Sequence, residues 1–229
     1  MKAAVTVLCA LLGVPGGMLA NLLVERIPEK RRLRPLPAAH TLAATRLQIL
    51  TIVATVALFA GAGIRFGADW VVPGYLVFFV CLVSISVIDS QRQIIPNYIV
   101  YPTIFLSVPL LALAALVQGE WDRFGHAMLG ATLAWLALFV IHMISPSGMG
   151  FGDVRLAFVL GLFLGWIGLS HVVTGLFLGV LIISVVGVLL AALRLKSLQE
   201  HIAFGPFLAV GSTLAVFAGE PIIRWWSGG

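Results

Sequence analysis

Two carboxylates stand out in a chain that has little room for charge. Asp89 closes the nineteen-residue apolar stretch VVPGYLVFFVCLVSISVID, and Asp153 opens another. Ionisable groups at the ends of membrane-length apolar segments are costly unless paired or solvated, which makes them functional candidates. Two carboxylates held close together cannot easily both ionise, so they share one proton and titrate as a unit. The ionised member can then take a proton from water while the protonated member polarises a carbonyl. That is the chemistry of aspartic peptide hydrolysis, and it needs neither a metal nor a nucleophilic side chain. Each residue's own helix suggests the division of roles. Asp153 at a helix N-terminus is expected to be the anion, and Asp89 at a C-terminus the neutral acid. Asp153 is also of a type that caps helices.

Three glycines, Gly148, Gly150 and Gly152, precede Asp153 in GMGFGD. Glycine permits close backbone approach, so this segment is expected to present its backbone to an extended peptide substrate. The alternative is an ordinary loop at a helix entrance.

The elements that carry these residues follow from composition. Of 229 residues, 61% are hydrophobic and 10% charged, and the mean hydropathy is +1.10. Such a chain has lipid as its solvent. Apolar segments of spanning length fall at roughly 4–24, 47–64, 70–88, 97–117, 125–144 and 203–219. The run from Leu156 to Leu193 is too long for one span, and GWIGLSH supplies the break. The expected architecture is all-α: one polytopic membrane domain over 1–229, with about eight transmembrane helices, the first of the broken pair being short. The N-terminal segment is expected to be retained as a helix rather than removed as a signal peptide.

Basic residues orient the bundle. Ten of the fourteen lie in four segments that alternation puts on one side: the first loop (about 25–46), DSQRQIIPN, SPSGMGFGDVR and RLKSLQEH. That side is expected to be cytoplasmic, with both termini on the other. The net charge of +5 comes with no nucleic-acid-binding motif, so no nucleic acid partner is expected. Attraction to anionic membrane lipid accounts for the basic loop. Cys9 and Cys81 form no CxxC pair and read as small buried hydrophobes. The histidines lack metal-ligand spacing, and RWWSGG suits a membrane interface.

Four blocks resemble the type IV prepilin peptidases, membrane aspartyl proteases of the GxGD type. GMGFGDVRLA is similar to their GxGD motif, and IDSQRQIIPN to the block that holds their first aspartate, with Asp89, Pro96 and Asn97 in place. GGMLANLLVERIP matches their N-terminal signature at Gly16, Leu19, Asn21, Val24, Arg26 and Pro28, with one extra residue before Asn21. IAFGPFLAVG resembles their C-terminal block, with Ala203 where proline is usual. The resemblance implies Asp89 and Asp153 as catalytic residues. Gly148, Gly150, Gly152, Pro96 and Asn97 would be motif or substrate-backbone positions, and Asn21, Arg26, Gly205 and Pro206 supporting ones.

The resemblance further implies a prepilin or pseudopilin substrate, with a short basic leader and an apolar helix, of a type IV pilus or type II secretion system. Cleavage would occur at the inner face of a bacterial cytoplasmic membrane. Many members carry two CxxC pairs that bind zinc in the first cytoplasmic loop; here that loop has no cysteine, so no zinc is expected. S-adenosylmethionine is called for only if the methyltransferase activity of bifunctional members is retained. Two other classes compete: a proton-coupled transporter, which wants carboxylates near the bilayer midplane and a repeat, and a noncatalytic membrane anchor. The aspartates at helix ends favour the peptidase.

Overall fold

The computed structural model describes residues 2–25, 42–145, 149–193 and 203–227. They form eight helices: α1 (Lys2–Glu25), α2 (Leu42–Phe66), α3 (Val72–Arg92), α4 (Asn97–Gln118), α5 (Trp121–Ile144), α6 (Phe151–Ile167), α7 (Leu169–Ala192) and α8 (Gly205–Ser227). Seven are long and apolar enough to cross a membrane. The exception is α6, whose 17 residues rise about 25 Å, short of a hydrocarbon core of about 30 Å. It need not meet lipid along its length, because α3, α5, α7 and α8 all pack on it. The α6–α7 break falls at Gly168, inside the segment whose turn chemistry indicated it.

Small residues hold neighbouring helices together. In a bilayer there is no water to drive helix association, so close backbone packing carries it. A Cβ on Gly17 of α1 would meet the Ile52 Cα of α2 at 2.6 Å. On Gly165 of α6 it would meet the Ala127 Cα of α5 at 3.0 Å, and on Gly179 of α7 the Leu208 Cα of α8 at 3.0 Å. The chain is thus built from close-packed helix pairs around α3. That central helix buries Tyr75, Phe78 and Phe79 completely. The Tyr75 hydroxyl donates to the Phe163 carbonyl of α6 at 2.7 Å, so the phenol's polar tip is satisfied in the apolar core.

Up-and-down alternation sorts the ends. Lys2 lies beside Gly67, and Arg65 pairs with Glu220 near the end of α8 at 3.3 Å. The outer ends of α1, α2 and α8 therefore share one end of the bundle. Exposed Trp70, Trp121, Trp225 and Trp226 gather there, a belt suited to a membrane interface. The aspartates occupy the opposite end.

Candidate active site

Asp89 sits in the last turn of α3, a helix that ends on Gln93 in the left-handed region (φ 53°). The Gln93 N–H donates to the Asp89 carbonyl at 2.8 Å, an αL closure of the helix. Ile94, Ile95 and Pro96 then run to α4, where Pro96 is extended and Asn97 begins the helix. Proline at a helix entrance loses no hydrogen bond, because the first N–H groups have no partner within the helix.

Asp153 is the third residue of α6, and its N–H donates to the Gly150 carbonyl at 3.1 Å. The structure corrects its expected capping role: the N-cap position is Gly150, with no side-chain cap. Asp153 turns inward instead. Both carboxylates are buried, Asp89 at 5% and Asp153 at 7% exposure, and they lie within electrostatic reach of one another.

A third helix end completes the site. The Gly205 N–H, the first of α8, donates to Asp89 Oδ2 at 2.9 Å. A Cβ on Gly205 would stand 2.8 Å from that same oxygen, so only glycine lets the carboxylate approach the amide. Asp153 Oδ1 is buried without a partner. The Gly205 contact brings in a partner that the expected division of charge left out. Asp89 ends its own helix, whereas the helix N-terminus aimed at it belongs to α8, 116 residues away. A backbone N–H at a helix start is an anion partner, and Asp89 has one.

The supporting residues separate in space. Ile95 packs on both flanks of the pair: its Cβ would be 2.8 Å from a Cβ on Gly152, and its Cδ1 3.4 Å from one on Gly205. Gly152 leaves no room for a side chain against Ile95. Gly150 is extended and exposed. Asn97 accepts a hydrogen bond from Arg155 Nη1, tying the start of α4 to α6. The Arg155 guanidinium also lies 4.6 Å from the centroid of the Phe151 ring. Pro206 follows Gly205 in the first turn of α8. Asn21 is spent on the α1–α2 seam, its Nδ2 donating to the Gln48 carbonyl at 3.2 Å. Arg26 and Gly148 lie outside the described residues, as does most of the basic first loop.

Three residues near the pair were not singled out for a role in the site. Ile95 and Arg155 sit within the quoted motifs. His142 is engaged through Nδ1 with the Met149 carbonyl at 2.8 Å, which secures the approach to Gly150. Cys9 and Cys81 are free and buried, as expected. Among the described residues no three of His, Cys, Asp and Glu gather as a metal site.

Comparison with known proteins bears on this arrangement. The model of the type IV leader peptidase family matches residues 76–194, from α3 through the end of α7. A prepilin leader peptidase/N-methyltransferase of Bacillus subtilis is 34% identical over 172 residues, covering 75% of this chain and 66% of the relative. Proteins of the same description from Aeromonas hydrophila (28% over 199 residues; 84% of this chain, 62% of the relative) and Pseudomonas aeruginosa (29% over 180 residues; 76% and 59%) also match. The chain thus spans about three fifths to two thirds of the length of these relatives. No solved structure matches it.

Proposed function

This chain is a member of the type IV leader peptidase family, and we propose on that footing that it is an aspartic endopeptidase that removes the leader from prepilins or pseudopilins. One observation carries the reading: two buried carboxylates, delivered by separate helix ends, lie within electrostatic reach of each other where a third helix end supplies an N–H to one of them. Asp89, held by Gly205, carries the charge and accepts a proton from water. The resulting hydroxide adds to the scissile carbonyl carbon. Asp153 keeps the shared proton on its open Oδ1 and passes it to the carbonyl oxygen. Collapse of the tetrahedral diol returns a proton to the leaving amine, and the pair regains its starting state. Water is the only co-reactant, and the rate should fall on both sides of an optimum as the pair gains or loses its single proton.

The aspartate end would face the cytoplasm of a bacterial inner membrane, since the basic residues concentrate toward it. A peptide with a basic leader and an apolar helix is then cleaved where the leader emerges from the bilayer. The placement also argues against a proton-coupled transporter, whose carboxylates belong near the midplane. The relatives carry a double name, peptidase and N-methyltransferase. Whether S-adenosylmethionine adds a methyl group is read from the mass of the new N-terminus in the same assay.

The test uses the purified chain, a prepilin in detergent, and the variants Asp89→Asn and Asp153→Asn. Each variant is expected to stay folded and to lose cleavage, which electrophoresis of the processed product reports. Undiminished cleavage by both variants would end the reading.

A further inference from the structure

A groove of about 400 Å³ opens on the membrane flank of the bundle. Its floor is α3, through Val80 and Cys81, and its walls are α1 and α4. On α1 it is lined by Leu12, Gly16, Leu19 and Leu23, spaced so that they form one stripe of a helix. From Leu12 to Leu23 that stripe runs about 16 Å. Leu19 and Leu106 stand half exposed on opposite walls.

One end of the groove lies next in sequence to the residues that frame the aspartate site: Tyr98 and Ile99 line it, and Asn97 precedes them. That end is closed by Tyr98, whose hydroxyl donates to the Leu23 carbonyl at 3.4 Å. Tyr98 follows Asn97, which Arg155 ties to α6, and stands three residues beyond Ile95, which contacts Gly152 and Gly205. From there the groove leads away from the aspartates into the depth of the membrane. Its middle is lined by small side chains, Gly16, Cys81 and Thr103. The Thr103 hydroxyl is spent on the Ile99 carbonyl at 2.7 Å. Small residues with no free polar group are what one helix offers another inside a bilayer.

We propose that this groove seats the apolar helix of the substrate during cleavage. The inference rests on the peptidase reading and adds where the substrate lies. A peptide cleaved at the aspartates and continuing as an apolar helix must run into the membrane from that point. This groove starts at Tyr98, next to Asn97, is lined by apolar side chains and by two hydroxyls already bonded to backbone carbonyls, and is long enough for about eleven residues of helix laid alongside. Its distance from the reacting atoms makes it a determinant of substrate affinity rather than of the chemical step.

The test places the photoreactive residue p-benzoylphenylalanine at Leu19 or Leu106 of the full chain, with Val188 on α7 as a control outside the groove. Each protein carries Asp153→Asn to hold the substrate, and each is irradiated with a prepilin in lipid vesicles. Cleavage by the wild-type chain is measured in parallel. The expected result is adducts from both groove positions to the apolar segment of the prepilin, several-fold above the control. A second measurement uses Leu106→Trp, with an intact aspartate pair. Overfilling the groove should raise KM roughly tenfold and leave kcat unchanged. Wild-type cleavage with only lipid adducts, only adducts to a second copy of this chain, or an unchanged KM overturns the groove and leaves the peptidase standing. Absence of cleavage by the wild-type chain overturns the peptidase reading and the groove with it.

Discussion

At the scale of single residues, Gly205 is the sharpest case. Its amide serves Asp89, and the space where a side chain would start is filled by the Asp89 carboxylate at 2.8 Å. Gly205→Ala is therefore expected to displace Asp89 from its donor. Cleavage should fall by roughly two orders of magnitude, comparable to the loss of one preorganised donor in other enzymes, while helix content by circular dichroism stays unchanged. A Gly205→Ala protein that cleaves normally would show that this hydrogen bond is incidental. The aspartates themselves were legible in the sequence because a carboxylate in a chain only 10% charged needs a reason. Ile95 was not, since nothing local distinguishes one isoleucine among so many apolar residues. The role of Gly205 as a donor was equally hidden. It arises from a contact between positions 116 residues apart, beyond any local pattern.

At the scale of elements, four helix termini converge at the site: the end of α3 and the starts of α4, α6 and α8. Position of the termini depends on the seams behind them, and α6, which carries Asp153, packs most extensively on α5. A Cβ on Gly161 would lie 2.7 Å from the Ala134 Cβ. Gly161→Leu must push α6 away from α5 and carry Asp153 with it. The expected outcome is a thermal transition in detergent lowered by several degrees together with loss of cleavage, as for overpacking costing about 1–3 kcal/mol. Wild-type melting and activity in this variant would show that the seam does not set the site. The helices themselves followed from apolar run length, and the α6–α7 break from its glycines. The sequence could not tell how the pairs nest, because lipid-facing and protein-facing apolar residues look alike when the solvent is hydrocarbon. Phe105 is 76% exposed and Phe163 fully buried, yet both are phenylalanines inside apolar helices.

At the scale of the whole molecule, the two aspartates come from different halves of the chain. Helices α1 to α4 bring Asp89 and Ile95; α5 to α8 bring Asp153 and Gly205. The halves meet through α3 against α6 and α8, and through α4 against α5 and α6. Between them the covalent link is only Gly119 and Glu120. Gly119, at φ 70°, closes α4, and a side chain there would meet open space. The bond itself holds nothing in place that packing does not. Two genes encoding residues 1–119 and 120–229, expressed together, should therefore yield a peptidase that co-purifies and cleaves, while either fragment alone stays inert. A pair that co-purifies without activity would mean that the tether contributes to alignment. In these terms the candidate active site is an interface: its two carboxylates are contributed by partners that happen to share a chain, and it forms only when they associate.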